Sequence, residues 1–165
     1  MGEGTIFIYT GEGRGKSPAA IGRAVQTAIT GKSVVIIQFL KGKGLEESDF
    51  LRRLEPEIKL FRFEKSEENF AELSQEKKRD EIVNIKNGIN FAKKVLTTGE
   101  CDLLILDEVL GLVENNILTV EELKTLLEYR GDTDIILTGN VLKDEICVLA
   151  DEVSKIERVK FKVWE

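Results

Sequence analysis

Short apolar, β-branched runs alternate along this chain with stretches in which apolar residues recur every three or four positions. Thr5–Tyr9 (TIFIY) is the first such run, and it opens directly into a glycine-rich turn. From Pro18 to Ile29 the residues Ile21, Val25 and Ala28 recur at helical spacing. A helix is expected there with these three on its buried face, stopped by Gly31. Ser33–Leu40 (SVVIIQFL) is a continuous apolar run, which suits a strand covered on both faces of a parallel sheet. Ile58–Phe63 reads as a weaker strand. Ile82, Ile85, Ile89, Ala92 and Leu96 predict a long amphipathic helix. Asp102–Leu106 is again a strongly apolar strand. Thr119 opens a helix through a capping box with Glu122, because each can satisfy the other's orphan amide. Asp134–Leu137 predicts a strand, Leu142–Ala150 a helix, and Val153–Val159 a closing strand.

Strand and helix repeated in this order predict an α/β fold, a mostly parallel sheet with helices on both faces. In such sheets ligands bind beyond the carboxyl ends of the strands. The polar stretch Gly42–Asp49 and the acidic stretch Glu64–Glu68 are expected to be loops near that edge. The length of 165 residues fits one domain, 1–165.

Composition narrows the chemistry. The net charge of −6 argues against a nucleic-acid surface. The run Lys77-Lys78-Arg79 reads as a solvated helix face rather than a binding patch. The chain has no histidine, which removes imidazole general bases and Ser-His-Asp chemistry. Its two cysteines, Cys101 and Cys147, form no metal-binding spacing and read as free thiols in a reducing cytoplasm. No apolar stretch is long enough for a membrane span, and the first residues lack the charged start of a signal peptide.

The turn after the first strand reads TGEGRGKS, Thr10–Ser17. Its glycines can turn backbone N–H groups inward onto phosphate oxygens, and the helix that follows offers its positive end. Lys16 would reach phosphate oxygens and Ser17 would place its hydroxyl on a magnesium ion. The usual phosphate-loop spelling has glycine where this chain has Thr10, so a glycine-rich turn without ligand is the alternative. LLILDE, Leu103–Glu108, ends a strand in two carboxylates, where a phosphate-loop protein holds Mg²⁺; a solvated strand end is the plainer reading. Gln38 closes the second strand, and Thr138-Gly139-Asn140 a later one, both at the ligand edge or simply in turns.

Taken in order, YTGEGRGKS, VVIIQFLKG, LLILDE, ILTGN and LADEVSKIERVK resemble the corrinoid adenosyltransferases of the cob(I)alamin / cob(I)yrinic acid diamide type. The resemblance runs from about Thr5 to Lys160. That family's loop also carries Thr at the first position. The resemblance implies a RecA-like phosphate-loop fold, often a homodimer in the cytoplasm. The implied reaction moves the 5′-deoxyadenosyl group of ATP onto a corrinoid whose cobalt is reduced to Co(I), with a flavoprotein as a candidate reductant, and releases triphosphate. It implies Lys16 and Glu108 as catalytic residues. Ser17, Asp107 and Glu108 would hold Mg²⁺ or Mn²⁺. The substrates would be contacted by Thr10, Gly11, Glu12, Gly13, Arg14, Gly15, Lys16, Ser17 and Pro18 of the loop, and by Gln38, Asn140 and Phe70.

This chain also departs from the family. Pro18 stands where a second Thr is usual. An arginine of the following helix aligns with Gln26, with Arg23 about one turn earlier. TGR becomes TGN at Asn140. A Gly-Phe-x-Trp segment is missing, its nearest remnant being Asn69-Phe70, and the chain closes VKFKVWE where the family has VKH followed by proline and an aromatic. Two further readings stay open: another phosphate-loop ATPase or nucleoside kinase, which would release ADP, and a degenerate paralogue that binds nucleotide or corrinoid without turnover. For Phe70 the alternatives are a cover over the corrinoid and simple packing of the long helix.

Overall fold

The computed structural model describes residues 3–11, 15–40, 53–63 and 68–160. Among these, six strands form one sheet: β1 (Ile6–Thr10), β2 (Val34–Gln38), β3 (Ile58–Arg62), β4 (Leu103–Asp107), β5 (Asp134–Gly139) and β6 (Glu152–Lys155). Their spatial order is β3-β2-β4-β5-β1-β6, and every pairing is parallel. The all-buried sequences of β2 and β4 follow from this, since a central parallel strand is covered on both faces.

Among the described residues five helices connect the strands: α1 (Lys16–Ile29), α2 (Gln75–Thr98), α3 (Val109–Glu114), α4 (Val120–Glu128) and α5 (Asp144–Cys147). The crossover from β1 to β2 passes β5 and β4, while those leading onward from β3 run the other way along the sheet. Right-handed crossovers therefore put α1 on one face and the other helices on the opposite one. The two apolar clusters match. Tyr9, Ile36, Ile105 and Ile136 pack with Ala20 and Ala24 of α1. Ile8, Ile37, Leu106 and Leu137 pack with Ile85, Ala92, Leu123 and Ile146 of α2, α4 and α5.

Several expectations need correcting. α1 begins at Lys16, two residues before Pro18, because a proline in the first turn gives up an N–H that has no helical partner there. Its buried stripe is Lys16, Ala20 and Ala24; Val25 and Ala28 pack only at the flank, and Ile21 is half-buried. Small alanines let the helix lie close to the sheet, whereas branched residues would hold it away. α2 starts earlier than its apolar repeat, capped by Ser74, whose hydroxyl accepts from Lys77 N at 3.3 Å, and ends at Gly99 in the left-handed conformation. Lys77 and Arg79 lie exposed on its first turns. The six-residue α3 was not foreseen, since one buried turn and a half is too short to show a period. The expected helix Leu142–Ala150 contracts to Asp144–Cys147. The expected strand Val153–Val159 becomes Glu152–Lys155, because its partner β1 ends at Thr10 opposite Lys155. The capping box of Thr119 and Glu122 is present as read, at the start of α4.

No described helix is long and apolar enough to cross a membrane. Both cysteines are free thiols. Burial beside β2 pushes the Cys101 thiol from 9.0 up to about 12, against a hydrogen bond with the Val35 backbone that lowers it. The folded chain thus holds this proton more tightly than the unfolded one. Its contribution to stability is complete below about pH 9 and is lost as pH rises towards 12. Urea midpoints measured from pH 8 to 11 should fall more steeply for the native chain than for Cys101→Val; parallel curves would show that the thiol titrates alike in the folded and unfolded states.

Candidate functional site at the carboxyl edge of the sheet

Parallel pairing fixes which strand ends lie side by side. The register sets Arg62 beside Gln38 and Gln38 beside Asp107. It sets Leu106 beside Leu137, which brings Thr138 next to Asp107, and Tyr9 beside Thr138. Because side chains alternate along a strand, Arg62, Gln38, Asp107 and Thr138 all continue the face that Ile58, Ile36, Ile105 and Ile136 turn towards α1. The sequence changes from apolar to polar at one level in four strands, and a polar row closes the sheet there.

Asp107 is the centre of this row and is only 2 % exposed. A buried carboxylate is tolerated where donors converge on it. Thr138 Oγ1 donates to Oδ1 at 2.7 Å, Ser17 Oγ donates to Oδ1 at 3.0 Å and to Oδ2 at 3.3 Å, and Gln38 Nε2 donates to Oδ2 at 3.4 Å. Thr138 also accepts from the backbone N–H of Glu108 at 2.8 Å. Its hydroxyl therefore ties both acidic residues to β5. Sequence reasoning passed over Thr138 in favour of its neighbour Asn140; the signal was a hydroxyl residue at the polar end of an otherwise apolar strand.

The loop is anchored on the other side. Gly11 has φ +123°, a conformation that side-chain-bearing residues rarely adopt, and a Cβ there would fall 2.2 Å from the Ile156 carbonyl oxygen. Ile156 N in turn donates to Thr10 O at 2.8 Å, so the segment just after β6 presses on the loop's first turn. Lys16 is buried, and its ammonium donates to Gly11 O at 2.7 Å and to Asn140 Oδ1. The Asn140 backbone oxygen accepts from Thr10 Oγ1 at 3.4 Å. Thr10, Gly11 and Asn140 also line a cleft of about 850 Å³ beyond the ends of β1, β5 and β6, walled further by Leu142, Lys155 and Ile156. β1 and β5 are neighbours whose outgoing connections leave in opposite directions, the kind of switch point at which α/β sheets take ligands.

The structure thus brings together Thr10, Gly11, Lys16 and Asn140 at one end of the site and Ser17, Gln38 and Asp107 at the other. Gly15 caps α1, and Pro18 lies exposed in its first turn. Glu12, Gly13 and Arg14 lie outside the described residues, as do all of Gly42–Asp49 and Glu64–Glu67. Of the two acids, Asp107 meets Ser17. Glu108 starts α3 with φ +63°, and its carboxylate lies towards Gly111. Phe70 begins a single 3₁₀ turn, Phe70–Glu72, half-buried against the larger core with the Lys78 ammonium 5.7 Å from its ring centre. Arg23 holds its guanidinium 4.6 Å over the Phe7 ring, and Gln26 is exposed. No group of three histidine, cysteine, aspartate or glutamate side chains could hold a metal among the described residues. A cation at Ser17 and Asp107 would complete its shell with phosphate oxygens and water, as Mg²⁺ commonly does.

Comparison with known proteins agrees with this geometry. Residues 2–165 match the family model described as ATP:corrinoid adenosyltransferase BtuR/CobO/CobP. The chain is 32 % identical over 158 residues to a corrinoid adenosyltransferase of Escherichia coli, covering 95 % of this chain and 78 % of that one. The figures are the same for the corrinoid adenosyltransferase CobA of Salmonella typhimurium. A corrinoid adenosyltransferase of Pseudomonas aeruginosa is 25 % identical over 159 residues, 95 % of this chain and 76 % of that one.

Replacing Thr138 by valine keeps the shape and removes one hydroxyl that serves two buried groups. Equilibrium unfolding in urea should show a loss of about 1–3 kcal/mol, the cost of leaving buried polar groups unsatisfied. A midpoint equal to that of the native chain would mean that Asp107 and the Glu108 amide do not depend on Thr138.

Proposed function

The chain belongs to the ATP:corrinoid adenosyltransferase family BtuR/CobO/CobP, and from that premise we propose how its edge site performs the transfer. ATP lies across the carboxyl edge with its triphosphate on the loop. The reduced corrinoid approaches the same edge. The Co(I) electron pair attacks the ribose 5′ carbon, the C5′–O bond breaks, and triphosphate leaves with that bond's electrons. Cobalt is itself the nucleophile, so the protein needs no general base, and a chain without histidine is equal to the task. Its work is positioning and stabilising charge on the leaving triphosphate.

The observation that carries this reading is the pairing of a buried lysine with a part-buried hydroxyl–carboxylate contact. Lys16 holds its ammonium between the Gly11 carbonyl and the Asn140 amide oxygen. Both are neutral acceptors, and an arriving phosphate oxygen, being charged, displaces one of them. Asn140 thereby keeps the ammonium aimed at the loop without neutralising it. Ser17 Oγ and the Asp107 carboxylate are hard oxygen donors already in contact, which fits Mg²⁺ or Mn²⁺. When bound, that cation supplies charge neutralisation at the triphosphate. For Ser17 to serve as its ligand, the hydroxyl proton turns away from Asp107, while Thr138 and Gln38 still hold the carboxylate. Glu108, next to Asp107, contributes its charge to the same region as a catalytic residue. The backbone amides of the loop from Glu12 to Arg14 cradle the phosphates, and Phe70 covers the corrinoid. The family likeness supports the wider setting: one domain over 1–165, a homodimer, a cytoplasmic location and a flavoprotein that reduces the corrinoid.

Anaerobic incubation with MgATP and a chemically reduced corrinoid tests the reaction directly. The expected products are a light-sensitive cobalt–carbon bond and one triphosphate for each. ADP release without that bond would instead identify a kinase or ATPase, and ATP binding without either product a degenerate paralogue. Lys16→Ala should weaken ATP by roughly tenfold or more in calorimetric titration, since one charge-assisted hydrogen bond contributes about 1.5–3 kcal/mol. Unchanged affinity would show that the glycine-rich segment is only a turn.

A further inference from the structure

The polar row does not stop at Asp107. Its outer end is Arg62, at the close of the edge strand β3, whose Nε donates to Gln38 Oε1 at 3.1 Å. Gln38 is 1 % exposed, and its amide could be seated in either of two orientations of nearly equal shape. Its neighbours permit one. A guanidinium can only donate, so it takes the amide oxygen; a carboxylate can only accept, so it takes the amide nitrogen. The reverse seating would set N–H against N–H on one side and oxygen against oxygen on the other.

We propose that Arg62 is a positioning residue for the cation-binding carboxylate: through the amide of Gln38 it fixes a donor on Asp107 Oδ2 and so holds the carboxylate ready for the divalent ion. The proposal rests on the reading of Ser17 and Asp107 as the cation site. It concerns the moment at which Ser17 turns its hydroxyl from donor on Asp107 to ligand of the ion. From then on Thr138 holds one carboxylate oxygen and Gln38 the other. Without Arg62 only the carboxylate itself keeps the amide nitrogen turned towards it, and the second hold is weakened. Outer partners that orient a ligand commonly affect metal affinity by about 10–100-fold. Mere charge would act in the opposite sense, because a guanidinium near a cation repels it.

The test is the affinity for Mn²⁺ at saturating ATP, read from the electron paramagnetic resonance signal of free Mn²⁺, with thermal melting to confirm folding. Gln38→Met should weaken Mn²⁺ by about tenfold. Arg62→Met should weaken it in the same direction by roughly threefold, a smaller loss because Asp107 alone still favours the amide nitrogen. Arg62→Lys, which keeps a donor, should restore most of the affinity. In the Gln38→Met background Arg62→Met should add nothing, because its path is gone. Tighter Mn²⁺ in Arg62→Met, or losses that add in the double variant, would overturn the proposal and show a direct electrostatic or structural effect. If native protein with ATP binds no Mn²⁺, the cation site itself fails; if it binds Mn²⁺ and Arg62→Met binds equally, only the positioning role does.

Discussion

A carboxylate buried in the interior must be surrounded by donors, and Asp107 sets that requirement at the heart of this fold. Its donors come from α1, from β5 and from β2. Each could reach it only if the strands are in register and the helix after the glycine loop starts at the right height. Meeting the demand of one side chain therefore fixes the mutual placement of three separate chain segments. The same convergence puts a hydroxyl and a carboxylate together next to the loop, which is what a phosphate-bound cation needs.

The site has two halves with different logic. Around Asp107, polar groups are matched donor to acceptor, which gives rigidity. Around Lys16, two of the partners are neutral oxygens, a backbone carbonyl and an amide. Gly11 O and Asn140 Oδ1 hold the lysine without themselves carrying charge, so a phosphate oxygen can displace either of them. Asn140 is well suited to this. An arginine at that position would add a second cation for phosphate, but it has no acceptor with which to hold Lys16.

The packing of the two faces serves the edge. On one side, alanines at Ala20 and Ala24 let α1 approach the sheet closely, so that Ser17 at its start comes within hydrogen-bonding distance of a strand end. On the other, Gly139 lies against Leu110, where a Cβ would come within 2.3 Å of the leucine Cβ. That contact seats α3 hard on the end of β5. Both elements next to the acids are thus held by the smallest residues available, and close approach is what places the acids.

Much of this was legible in the sequence. Apolar runs ending in polar residues marked β1, β2, β4 and β5, and the periodic stretch through Ile85 and Ala92 marked α2, because burial on a strand or helix face leaves a local repeat. The loop, its lysine and serine, and the acids at Asp107 and Glu108 were readable as residue types that phosphate and magnesium require. The sequence could not say which acid meets Ser17, that Thr138 joins both acids to β5, or that Arg62 reaches Asp107 through Gln38. Nor did it show that alanines, not Ile21, form the buried stripe of α1. Each of these depends on strand order and register, which bring together residues separated by 24 to 90 positions along the chain. Local pattern records only whether a residue is covered. What covers it is decided when the parallel sheet sets β4 between β2 and β5, and only then do Gln38 and Thr138 become the neighbours of Asp107.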